Sequence, residues 1–176
     1  LAALGASHVE VGTITPLPQI GAQRPRLFRL PKQNAMINRL GFPNSGAATI
    51  APRLARLRSV SMAAHIGVNI GKGHKTPIER APDDYDWLLQ QLHPYADYLT
   101  INISSPNTLS LRDLQAKEAL RHLLDKLVRS ANLVCPNTPI LVKIAPDLSL
   151  AEIDEVLEVI TNYGISGIVA TNTTTS

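Results

Sequence analysis

Five hydrogen-bonding side chains crowd into the seven residues Asn102-Ile-Ser-Ser-Pro-Asn-Thr108. The run closes an apolar strand, Tyr98-Leu-Thr-Ile-Asn-Ile103, and Pro106 stops it. Amides and hydroxyls both donate and accept, so this cluster suits a polar, planar ligand. A Ser/Asn-rich turn after a strand is the plain alternative. Other strand exits carry polar residues too. Asn69 sits between Val68 and Ile70, Asn102 between Ile101 and Ile103, and Lys143 between Val142 and Ile144. Thr13 has Ile14 beyond it, and Thr171 follows Val169-Ala170. Strand alternation turns the aliphatics to one face and these residues to the other. An inward lysine is costly unless an anion or a strong acceptor meets it. Thr13, Asn69, Asn102, Lys143 and Thr171 therefore describe a ring of donors around a cavity. Asn38-Arg-Leu-Gly-Phe42 can add backbone N–H groups near Gly41, and Asn172-Thr-Thr174 extends the last exit. The ligand suggested is a flat, hydrogen-bonding heterocycle.

The elements that must place this ring alternate along the chain. Five short, β-branched-rich segments read as buried strands: residues 8–14, 65–70, 98–103, 139–144 and 167–171. Amphipathic stretches at 46–58, 83–93, 115–130 and 150–162 read as helices. Ser149 and Glu152 form a capping box for the last, and Pro82-Asp83-Asp84 marks another helix start. Strand–helix–strand alternation means parallel strands with crossover helices, an α/β fold. The pattern suits a doubly wound sheet or part of an eight-stranded barrel. A complete barrel takes about 250 residues. Residues 15–44 hold no helix pattern. Leu27-Phe-Arg-Leu30 and Ala35-Met-Ile-Asn-Arg-Leu40 flank a polar link, which reads as a hairpin inserted after the first strand. Such an insertion falls on the face where barrel active sites lie.

Bulk properties narrow the function. The 176 residues are 44% hydrophobic, enough for a sizeable core in one domain. The net charge of +3 is mild, and Arg53, Arg56 and Arg58 read as a solvated helix face. Four Tyr, two Phe and one Trp do not make a base-stacking platform, so no nucleic-acid partner is expected. The lone Cys135 excludes an internal disulfide framework, and a structural role suits it. His8, His65, His74, His93 and His122 lack metal-ligand spacing, so no metal is expected. His8 and His65 each open a strand; His93 and His122 fall in helix patterns. No apolar run approaches the ~20 residues of a membrane span, and no signal peptide is visible. Leu1-Ala-Ala-Leu-Gly5 reads as the last turn of a helix, and the chain stops as a strand finishes at Ala170–Ser176. Both ends read as cut through a larger domain.

The ordered set of motifs resembles class 2 dihydroorotate dehydrogenases, the quinone-reducing form. It comprises Glu10-Val-Gly-Thr-Ile-Thr-Pro16, Arg24-Pro-Arg-Leu-Phe-Arg-Leu30, Ile37-Asn-Arg-Leu-Gly-Phe42 and Val68-Asn-Ile-Gly-Lys72. Asn102 to Thr108 follows, with Leu111-Arg112, Leu114-Gln115 and Glu118-Ala-Leu120, then Val142-Lys-Ile-Ala-Pro-Asp-Leu148 and Ile168-Val-Ala-Thr-Asn-Thr-Thr174. The resemblance implies a partial (β/α)8 TIM barrel over residues 1–176, with the hairpin at about 15–44. It implies oxidation of dihydroorotate to orotate in pyrimidine synthesis, with FMN as hydride acceptor and a quinone as final acceptor. By the same resemblance Ser105 is the base; class 1 relatives place Cys there. Thr13, Asn69, Asn102, Lys143 and Thr171 match flavin-binding positions. Asn38, Arg39, Leu40, Gly41, Phe42, Asn102, Asn107, Asn172 and Thr173 match substrate positions.

Two departures stand out. Thr108-Leu-Ser-Leu-Arg112 replaces the family's Thr-Pro-Gly-Leu-Arg, which bears on the mobility of this loop. Gly73 stands where an asparagine is common. The resemblance places a substrate lysine strand before Leu1, a Gly-rich phosphate site after Ser176, and the quinone-binding helices upstream. It implies a parent protein peripheral to a bacterial inner membrane on the cytoplasmic side, or to the mitochondrial inner membrane. Two other readings are an inactive partial barrel and a flavin barrel acting on another substrate. Visible absorption of the purified chain separates the inactive reading from the others.

Overall fold

The computed structural model describes residues 1, 4–59 and 64–175. Five strands form one parallel sheet: β1 (His8–Ile14), β4 (His65–Ile70), β5 (Tyr98–Asn102), β6 (Ile140–Ile144) and β7 (Gly167–Ala170). Their order in the sheet is their order in the chain. A doubly wound sheet reverses its winding at a switch point, whereas a barrel wall adds each strand beside the last. The order β1-β4-β5-β6-β7 is that of a barrel wall. Between β1 and β4 lies the expected hairpin, β2 (Leu27–Leu30) and β3 (Ala35–Asn38), antiparallel around a turn at Pro31–Gln33.

Four helices cover one face: α1 (Ala47–Arg58), α2 (Ala81–Leu92), α3 (Lys117–Val134) and α4 (Leu150–Asn162). The core lies between them and the strands. Val68, Ile70, Leu99, Ile101 and Val142 from the sheet are fully buried with Tyr85, Leu88, Leu89, Leu120, Leu124, Leu127 and Val156 from the helices. Burying each such side chain contributes about 1.5–3 kcal/mol. The polar alternates thus turn away from the helices, toward the barrel interior. Sequence-coded starts hold locally. Ser149 Oγ accepts the Glu152 N–H, and the Glu152 carboxylate accepts the Ser149 N–H at 2.7 Å. Asp83 and Asp84 sit in the first turn of α2. Asp97, before β5, accepts from Arg58 of α1 and from Ile66 N of β4, both at 2.7 Å.

Several boundaries differ from the sequence reading. The helix expected from residue 115 starts at Lys117, because Ala116 is extended at φ −62°, ψ 139° and Gln115 closes a separate 3-10 turn at Leu111–Gln115. His93 lies in a 3-10 turn after α2 and not in the helix. β5 ends at Asn102 and β7 at Ala170, each a residue short. The helix expected at Leu1–Gly5 falls partly outside the described residues.

Candidate active site

A β-bulge builds the first part of the site. Val11 pairs with Val68 and Ile14 with Ile70, so Gly12 and Thr13 together oppose Asn69. Gly12 adopts φ +133°, and a Cβ there would lie 2.4 Å from the Asn69 carbonyl oxygen. Glycine lets the two backbones meet, and the bulge aims Thr13 across the strand. Thr13 Oγ1 donates to Asn69 Oδ1 at 2.7 Å. Asn102 Nδ2 donates to Thr13 Oγ1 at 2.9 Å and to Asn69 Oδ1 at 3.2 Å. Three of the five strand exits are therefore tied directly. Asn69 and Asn102 are buried, and the α2 residue Tyr85 donates from its hydroxyl to the Asn102 carbonyl at 2.7 Å. Burial pushes the Tyr85 phenol well above its ordinary pKa, so it remains a donor.

The loop after β5 adds the rest. Ser104 Oγ donates to Asn102 Oδ1 at 3.2 Å, and Asn172 Nδ2 reaches Ser104 Oγ at 3.1 Å. Ser105 is buried, and its Oγ accepts the Asn107 N–H at 3.3 Å. Asn107 Nδ2 donates to Asn38 Oδ1 at 3.2 Å, which joins the end of β3 to the β5 exit. Gln19 holds the neighbouring segment, donating from Nε2 to the carbonyls of Gly41 and Phe42, both at 3.2 Å. Arg112 spans the rim. It donates to Ser104 O at 3.1 Å, to Asp147 at 2.7 Å and to Thr173 O at 2.9 Å.

These groups enclose a cavity of about 280 Å³. Thr13, Asn38, Leu40, Gly41, Phe42, Asn69, Asn102, Ser105, Asn107, Lys143 and Asn172 all line it. Of the residues expected from sequence, Arg39, Thr171 and Thr173 do not. Arg39 turns away, its Nε donating to Pro25 O and its guanidinium lying 5.7 Å from the Phe28 ring. Thr171 is exposed and donates to Asn172 O. Thr173 meets the network through its backbone, its N–H donating to Asn172 Oδ1 at 2.8 Å. Glu10, Ser104 and Arg112 belong to the site, yet sequence reasoning gave none of them a role. Glu10 lines the cavity and accepts from Asn69 and Thr100.

A family model described as dihydroorotate dehydrogenase matches residues 1–176. The chain belongs to the dihydroorotate dehydrogenase family. A dihydroorotate dehydrogenase (quinone) of Anaeromyxobacter dehalogenans strain 2CP-C is 54% identical over 173 residues, 98% of this chain and 48% of its own length. That of Chloroflexus aurantiacus strain J-10-fl is 54% identical over 181 residues, 99% of this chain and 49% of its own. The ligand-free DHODH crystal structure from Eimeria tenella superposes with a TM-score of 0.89 at 37% identity, covering 96% of this chain and 52% of that one. The complex of the same enzyme with ferulenol gives 0.88 at 36% identity, covering 96% and 50%. The chain thus spans about half the length of the dihydroorotate dehydrogenases it matches, and the fold is part of a TIM barrel.

The family is flavin-dependent. The residues present suit a flavin ring. Lys143 faces the cavity with no hydrogen bond or ion pair among the described residues. Thr108 Oγ1 is buried with no hydrogen-bond partner among them. A planar group with acceptors on its edge would satisfy a free cation, while the amides of Asn69 and Asn102 are already aligned beside it.

Proposed function

We propose that the protein containing this chain oxidises dihydroorotate to orotate in pyrimidine synthesis, using FMN and passing electrons to a quinone. The observation that carries this reading is the convergence of Ser105, five asparagine side chains and Lys143 on one cavity. FMN, when bound, would supply the acceptor for a hydride leaving C6 of the substrate. Ser105 Oγ takes the C5 proton. Asn38, Asn102, Asn107 and Asn172 bind the amide and carboxylate edges of the ring, since each amide can both donate and accept. The backbone of Leu40–Phe42 closes one side. Thr13, Asn69 and Asn102 orient the flavin, and Lys143 offsets negative charge that develops on it. The assignments of Arg39, Thr171 and Thr173 rest on the family resemblance.

The quinone reading is supported by the names of the relatives. It carries peripheral attachment of the parent protein to the inner membrane of a bacterium. Among the described residues no helix is long and apolar enough to cross a membrane.

Stopped-flow reduction of the full-length flavoprotein tests the central claim. A general base contributes roughly 10²–10⁴-fold. Ser105→Ala is expected to slow flavin reduction by about that factor while orotate still binds. An unchanged reduction rate would remove Ser105 from this role.

A further inference from the structure

We propose that Glu10 is a positioning residue that fixes the amide direction of Asn69 and, through it, the donor and acceptor order at Thr13 and Asn102. The inference rests on the flavoenzyme reading above for its consequence, and on geometry alone for its premise. A carboxylate accepts and cannot donate. Asn69 must therefore turn its NH₂ toward Glu10, and Nδ2 lies 2.8 Å from Oε1. The Thr100 hydroxyl donates to Oε2 at 2.7 Å, so both carboxylate oxygens are engaged.

The rest of the polarity follows link by link. With its NH₂ facing Glu10, Asn69 offers only Oδ1 to its other neighbours, where Thr13 and Asn102 donate at 2.7 and 3.2 Å. Asn102 Nδ2 is committed there and to Thr13 Oγ1. Its Oδ1 then faces Ser104 Oγ at 3.2 Å and Asn172 Nδ2 at 3.4 Å. Asn172 in turn presents Oδ1 to the Thr173 N–H at 2.8 Å. An amide can be turned over with almost no change of shape, and that exchanges its donor for its acceptor. Asn69 and Asn102 are 4% and 3% exposed, so a reversed amide would set donor against donor where little solvent reaches. The Glu10 carboxylate removes the choice at Asn69, while the Ser104 and Thr173 N–H groups, which can only donate, hold Asn102 and Asn172 to the same order. The same carboxylate therefore decides which group Asn69 offers to Thr13, to Asn102 and to a bound flavin.

The test is a double-mutant cycle in the full-length protein. Glu10→Gln keeps the shape but restores the choice of amide direction. Asn69→Asp places acceptor against acceptor. The pair together rebuilds one donor and one acceptor with their order exchanged. The new amide at position 10 can donate to the new carboxylate at position 69, which still accepts from Thr13 and Asn102. The first readout needs no ligand: exchange protection of the Asn102 side-chain NH₂ in asparagine-labelled protein by NMR. Protection is expected to fall in each single variant and to return in the double. The second readout is FMN affinity by fluorescence titration of the apoprotein. Glu10→Gln is expected to weaken it about tenfold, the worth of one charge-assisted hydrogen bond. A merely structural Glu10 would give losses that add in the double variant and an unchanged Asn102 signal in folded Glu10→Gln protein. Either result would overturn the proposal. If the parent protein binds no FMN, the flavoenzyme reading fails, and the NMR cycle still decides the role of Glu10.

Discussion

Ser110 occupies the left-handed region at φ +53°. A side chain there costs roughly 1–2 kcal/mol. Ser110→Gly is expected to raise stability by about 1 kcal/mol in chemical denaturation, because glycine adopts this conformation without strain. An unchanged midpoint would mean that contacts within the 106–115 loop already offset the strain. The same scale explains which site residues were legible. Asn69, Asn102 and Lys143 follow from counting by two along regular strands. Thr13 also obeys that count, but Glu10 does not: two residues back from Thr13 stands Val11. The bulge at Gly12 shifts the phase, and only cross-strand pairing reveals it. Thr171 lies outside the cavity lining for the opposite reason. β7 ends at Ala170, so alternation no longer governs the next side chain.

At the scale of elements, α2 does more than cover the sheet. Its Tyr85 ring is fully buried in the core, and its hydroxyl holds the carbonyl at the end of β5. Tyr85→Phe leaves that buried carbonyl unpaired. The expected loss is about 1–3 kcal/mol in denaturant unfolding, with little change in the packing of the ring. The helices themselves were readable because their signals are local: the Ser149–Glu152 box, the Pro82-Asp83-Asp84 start and the leucine stripe of α3. The turn at 111–115 was not. Its sequence has helical composition, but Gln115 turns its side chain to the Ala145 N–H at 2.8 Å, a partner thirty residues away. Tertiary contact there overrides local preference. Alternation alone is common to a barrel wall and a doubly wound sheet, and it was the motif resemblance that pointed to the barrel, which the strand order bears out.

For the whole molecule, Asp97 sets a dependence on pH. Burial opposes its ionisation, but Arg58, the Ile66 N–H and His65 outweigh this and hold the carboxyl below its usual range. A depressed folded-state pKa stabilises above the unfolded value and is lost as pH falls through the folded one. Stability is therefore expected to decline below about pH 4, and Asp97→Asn should flatten that part of the profile. An identical acid limb in both proteins would assign the loss elsewhere. Arg112 acts on the same scale. Its fork joins the β5 loop, Asp147 beyond β6 and Thr173 beyond β7, and Asp147 also accepts from Thr174 and Thr175. Arg112→Lys keeps the charge and gives up the planar fork. In deuterium exchange, amides around 104–115 and 172–175 should then lose protection together. Three rim segments closed by one guanidinium form a single cooperative unit. A molecule entering the barrel would meet one door with three hinges, latched by the Arg112 fork and by the Asp147 carboxylate beside it.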